Sequence, residues 1–148
     1  MDDPTGIVRE FLGRCSNEIE RTFLTAFFGL CEHRIWLRWP EVQYEIGGFV
    51  ADFAWNDDNP LLVVEIDGHK AHKSKQQREH DYRRDRALER AGWHVMRFTG
   101  TEVYHEAGRC ALEVAEWLRI KHNQGIDESP PHPDDPSPPR KVGGSLLP

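Results

Sequence analysis

Cysteine is scarce in this chain, and the little there is does not pair by pattern. Cys15, Cys31 and Cys110 are the three cysteines. They are odd in number and far apart, with no CxxC unit and no Cys/His finger spacing, so neither a disulfide framework nor a structural zinc site is expected. That usage suits a reducing compartment, and a cytoplasmic setting is the expectation. Long apolar runs are missing as well: nothing approaches the roughly 20 residues that span a bilayer, and "MDDPTGIVREFLGRC" lacks the charged-then-apolar order of a secretion signal. Nor is there an excess of positive charge. With 19 Lys and Arg against 25 Asp and Glu the net charge is -6, which excludes a polybasic protein that holds polyanions by bulk charge. A nucleic-acid partner would have to be met by a local patch.

What the chain does have is one core's worth of apolar residues, 38% of 148, which predicts one domain over residues 1–125. Residues 126–148, dominated by "DESPPHPDDPSPPRK", cannot bury enough surface to offset their ordering entropy and are expected to be a disordered Pro-rich tail. Within the domain, Ile19, Phe23, Ala26, Phe27 and Leu30 recur at helical spacing, with Ser16 or Asn17 available as an N-cap. "VQYEI" and "FVADFAW" alternate around "GG", the pattern of a hairpin. Residues 61–67, "LLVVEID", make a third strand. The segment from Lys75 to Ala91 is a charged helix stopped by Gly92, "WHVMRF" is a fourth strand, and residues 101–121 form a closing helix, with a break near Gly108. The order is α-β-β-β-α-β-α, an α/β fold.

The third strand poses the functional question. Alternation puts Glu65 and Asp67 on one face and Val64 and Ile66 on the other. Two carboxylates about 7 Å apart repel each other and lose hydration unless something positive lies between them. A divalent cation is the simplest such object. Asp52, in the otherwise apolar "VADFAW", can meet that face if the two strands are neighbours. Hard oxygen ligands suit Mg²⁺, with Mn²⁺ as the alternative; an imidazole from His72, just past the strand, would leave Zn²⁺, Co²⁺ or Ni²⁺ open. Asp81 and Arg84 follow one turn apart, which by itself reads as a helix ion pair. From Lys70 to Arg90 the local charge is reversed: Lys70, Lys73, Lys75, Arg78, Arg83, Arg84, Arg86 and Arg90 outnumber four acids. Taken alone that is a solvated helix face. Beside an acidic pocket it suits phosphodiester cleavage, in which cations hold the backbone and a metal activates water.

"FVADFAW", "LVVEIDGHKAH" and "DYRRDRALERAGWHVMRFTGTEV" together resemble the PD-(D/E)XK nuclease superfamily, and within it the branch of the very-short-patch-repair (Vsr-like) and EDxHD endonucleases. The resemblance runs from about Asn17 to Tyr104. It rests most on Asp67, Gly68 and His72, with Asp81 and Arg84 behind them. It implies a restriction-endonuclease-like αβββαβ core, with a mixed sheet flanked by helices, and a metal-dependent DNA endonuclease acting as a monomer or homodimer. It also implies roles. Asp52, Glu65 and Asp67 would hold the metal, and His72 would replace the superfamily's lysine as base or ligand, with Asp81 beside it. Glu20 would support the metal shell from the first helix, although its spacing alone reads as an exposed helix glutamate. Lys70, Lys73, Arg83 and Arg84 would contact the DNA. The chain departs from Vsr enzymes in lacking their zinc site and wedging aromatics. The competing expectation is a non-catalytic nucleic-acid-binding or regulatory module that keeps the fold.

Overall fold

The computed structural model describes residues 3, 5–57, 61–68 and 73–127, the last four as backbone only. His69, Lys70, His72 and the segment 128–148 lie outside the described residues. The elements are α1 (Ile7–Arg14), α2 (Glu18–Cys31), β1 (Glu41–Ile46), β2 (Phe49–Asn56), β3 (Leu61–Asp67), α3 (Lys75–Arg90), β4 (His94–Thr99) and α4 (Gly100–Asp127).

The four strands form one sheet in the order β1-β2-β3-β4. The first two pairings are antiparallel and β3 pairs with β4 in parallel, with α3 as the crossover between them. This is the expected α/β fold, a mixed sheet flanked by helices. β3 is central and buried on both faces, which is why its sequence reads as an almost unbroken apolar run. Leu62, Val64 and Ile66 join Phe23, Phe27 and Phe28 of α2 and Val103, Val114 and Leu118 of α4 in the larger core. Val63 points the other way, into a smaller core with Ala54, Leu88 and Trp93 beneath α3.

Local chemistry sets the ends of these elements. Asn17 caps α2, its side chain accepting from the Glu20 N–H at 2.9 Å. Ser74 and Gln77 close a reciprocal capping box on α3, and Thr99 and Glu102 do the same at the start of α4. Gly47 and Gly48 make the hairpin turn with φ of 53° and 90°, which glycine adopts without steric cost.

Two features depart from the sequence reading. α1 is an additional helix to which the sequence reading assigned no element, with Val8, Phe11 and Leu12 packed against the core. Eight residues long with no fully buried side chain, it is started by Asp3, whose carboxylate accepts from the N–H groups of Val8 and Arg9 at 3.2 and 2.9 Å. The break in α4 falls at Glu106 (φ -141°, ψ 48°), two residues before Gly108, and the helix runs on to Asp127, past the predicted domain boundary.

Candidate active site

β2 and β3 are hydrogen-bonded from Asn56↔Leu61 to Phe53↔Val64, and there the pairing ends. The next residue of β2 is Asp52. Its carboxylate takes over from the ladder, accepting from the Ile66 N–H at 2.8 Å. The aspartate is thereby wedged where the two strands part. Glu65, 7% exposed, reaches it from β3, and Glu20 reaches it from α2; both carboxyls lie within hydrogen-bonding range of Asp52.

Crowding three acids in a dry site has an electrostatic consequence. Burial, and then the charge of Glu65, push the Asp52 carboxyl up to about 8. Burial also raises Glu65, against the pull of Arg84 and Arg97. Glu20, expected from its spacing to be exposed, is 2% exposed. It is held by four donors: the Ser16 N–H and hydroxyl, both at 2.7 Å, and the Asn17 and Gln43 amides at 3.4 and 3.2 Å. Its position as the third residue of α2 makes most of these bonds local, part of the helix cap.

Asp67 does not join this cluster. It closes β3 further along and faces Arg97 Nη1 at 3.1 Å and Lys73 Nζ at 3.6 Å. Lys73 in turn bonds Asp81 at 2.6 Å, and that bond holds Asp81 below the usual carboxylate range. Arg97 grips Asp85 with two nitrogens, at 3.0 and 2.7 Å. Burial disfavours its charge, but Asp85, Asp67 and Glu65 more than offset that and raise it. Arg84 is turned inward, 3.7 Å from Glu65 and 3.8 Å from Asp85; its buried Nε has no hydrogen-bond partner among the described residues. Arg83 points to solvent. Alternating charges therefore run from Glu65 through Arg84, Asp85, Arg97, Asp67 and Lys73 to Asp81. A cavity of about 720 Å³ opens beside this chain at the C-terminal ends of β3 and β4, with Asp67, Lys73, Arg78, Asp81 and Arg97 in its wall.

The structure thus brings Glu20, Asp52 and Glu65 together and gathers Asp67, Lys73 and Asp81 around the adjacent cavity. It turns Arg84 inward, leaving its side chain 17% exposed. His72 and Lys70 fall outside the described residues. Arg97, Asp85 and Gln43 did not stand out in the sequence. The signal for Arg97 was an arginine inside a core strand; parallel pairing sets it directly beside Glu65.

Among the described residues no three His, Cys, Asp or Glu side chains converge as a ready metal cage. The Asp52–Glu65 pair nevertheless fits Mg²⁺ or Mn²⁺, since Mg²⁺ commonly takes one or two protein carboxylates and keeps water in its other positions. Like-charged buried carboxyls whose ionisation is suppressed are the donors such an ion would satisfy. At its C-terminal edge, Gly100 brings its backbone close to β3: a Cβ there would lie 3.2 Å from the Asp67 carbonyl oxygen.

The chain matches no curated protein and no solved structure. A family model, REase_MTES_1575, does match it over residues 38–118, a stretch that holds all four strands, α3 and the acids from Asp52 to Asp81 and covers more than half of the chain. On that match the chain belongs to REase_MTES_1575, a restriction-endonuclease-like family.

Proposed function

We propose that this protein is a metal-dependent DNA endonuclease. The observation that carries the reading is the placement of Asp52: a carboxylate inserted where β2 and β3 part, buried beside Glu65 and backed by Glu20, in a chain of a restriction-endonuclease-like family. Asp52 and Glu65 would hold Mg²⁺, or Mn²⁺ in its stead, with Asp67 close by. When bound, such an ion supplies an activated water and neutralises charge developing on the phosphate. Glu20 keeps Asp52 in place. Lys73 and Arg83, with Lys70, are the cations for the DNA backbone, while Arg84 serves by orienting Glu65.

The finer assignment to the Vsr-like branch rests on the D-G-x-x-x-H unit of Asp67, Gly68 and His72. In it His72 is the general base or a ligand, and Asp81 positions it. A monomer would nick one strand; two copies would cut both. The cysteine usage supports a cytoplasmic setting, and among the described residues no helix is long and apolar enough to cross a membrane.

A non-catalytic DNA-binding module is the second reading, and one observation favours it: Asp67 is already neutralised by Arg97 and Lys73. Plasmid nicking by the purified protein with Mg²⁺, Mn²⁺ or EDTA, beside Asp52→Ala, separates the two. The expected result is metal-dependent relaxation that the variant loses by at least about a thousandfold. Wild-type cutting by Asp52→Ala would sink the assignment, and DNA binding without cutting under either metal would leave the second reading.

A further inference from the structure

Among the described residues Gln43 is the one non-glycine position with a positive φ, +53°. The left-handed region is usually given to Gly or Asn, because a Cβ there crowds the carbonyl oxygen. A glutamine in a strand holds that conformation only when its surroundings require it, and such strain gathers at functional sites.

The surroundings are specific. Val42↔Phe53 and Tyr44↔Ala51 bracket the place, so Gln43 stands opposite Asp52 in the β1–β2 register. In a regular strand residues two apart share a face. Here Val42 and Phe53 lie in the core under α2 and α4, whereas Tyr44 and Ala51 lie with the core under α3. Both strands change faces at the same step, with Gln43 at the pivot of one and Asp52 at the pivot of the other. The pivot frees Asp52 to reach Ile66. It also sends the Gln43 amide to Glu20 Oε2, 3.2 Å away and 23 residues back in the chain. The other three donors to Glu20 come from Ser16 and Asn17, at the start of its own helix. Of the four donors to that carboxylate, Gln43 is the one that comes from the sheet.

We propose that Gln43 is a positioning residue of the candidate active site: its left-handed backbone makes the paired kink in β1 and β2, and its amide fixes Glu20 against Asp52. This rests on the nuclease reading.

The test uses Gln43→Gly, which keeps the backbone conformation and removes the amide, and Gln43→Asn, which tolerates the conformation but is one methylene too short. Melting temperature, steady-state plasmid nicking and Mn²⁺ affinity by calorimetry are measured on each. Both variants are expected to fold, with Gln43→Gly melting at or above the wild-type temperature. kcat should fall about tenfold or more with KM within about twofold, and Mn²⁺ should bind about tenfold more weakly, as for other residues that orient metal ligands. Gln43→Gly with wild-type kcat and Mn²⁺ affinity would overturn the proposal, leaving the residue a role in strand pairing alone. So would variants whose loss of activity follows a loss of stability. Failure of the nuclease reading is seen separately. Wild type that binds Mn²⁺ in a Gln43-dependent way yet cuts no DNA keeps the positioning role and removes the nuclease, and wild type that neither binds Mn²⁺ nor cuts DNA removes both.

Discussion

On one side of the sheet β3 presents Leu62, Val64 and Ile66 to α2 and α4, where Phe23 alone meets the rings of Phe27, Phe53 and Phe98 with centroids 6.3, 5.1 and 6.1 Å away. On the other side the alternate residues Val63, Glu65 and Asp67 face α3, whose one fully buried side chain is Leu88, and there the two acids meet Arg84 of α3 and Arg97 of β4, the latter also bound to Asp85. The first face gains stability from apolar area removed from water. The second holds charges in a half-dry place, and that is costly unless each is paired. One strand thus carries the larger core on its even residues and the charged cluster on its odd ones, and the two faces should answer differently to substitution.

The largest expected effect is on the apolar face. Phe23→Ala empties a site with no exposure and should cost about 4 kcal/mol in urea denaturation; a loss under about 1 kcal/mol would mean that the face collapses around the gap. On the charged face the sign reverses. The folded protein holds the Asp52 proton up to about pH 8, whereas the unfolded chain releases it near the ordinary value, so stability from this residue is full at low pH and is lost as pH rises through the folded value. Asp52→Asn imitates the protonated form. In EDTA it should therefore match wild type near pH 4 and exceed it by about 2 kcal/mol at pH 8 and above. A variant less stable than wild type at pH 8 would show that Asp52 contributes stability as a charged group.

Arg97→Ala sharpens the contrast further. It leaves Asp85 and Asp67 without their shared guanidinium and should cost about 1 to 2 kcal/mol, the groups being about one quarter to two fifths exposed. Combined with Asp85→Ala it should cost less than the two separate losses added together, and strict additivity in that cycle would refute the network. The smallest effect belongs to neither face. Arg14→Ala breaks an exposed helical pair with Glu10 and should change the free energy of unfolding, read by urea denaturation, by less than about 0.5 kcal/mol.

Much of this was readable in the residues, and the exceptions have physical causes. The bounds of β3, the hairpin at Gly47 and Gly48, and the stop of α3 at Gly92 followed from period and turn chemistry, because those signals are local. α1 escaped because its stripe of Val8, Phe11 and Leu12 spans only two turns, too short a run for helical period to stand out, although those side chains pack on the core. Glu20 looked exposed because its spacing shows only that it begins a helix; it is buried among the Ser16–Asn17 cap, Gln43 of β1 and Asp52 of β2. Arg84 looked like a phosphate contact because sequence cannot say which way a guanidinium on a charged helix turns. Glu65 decides that, by drawing it inward.

Sequence alone determined the alternation in "LLVVEID", the scarcity of cysteine and the local basic run, and with them an α/β chain carrying an acidic strand end beside a charged helix. Which acids meet was decided only in three dimensions. Asp52 and Glu65 share a site because β2 and β3 stop pairing at Phe53, Glu20 joins them because α2 lies across the sheet, and Asp67 is drawn away by Arg97 from a strand that follows it by 30 residues. Spacing along the chain fixes the face on which a side chain emerges, but the field it meets there comes from neighbours that only the folded sheet brings near.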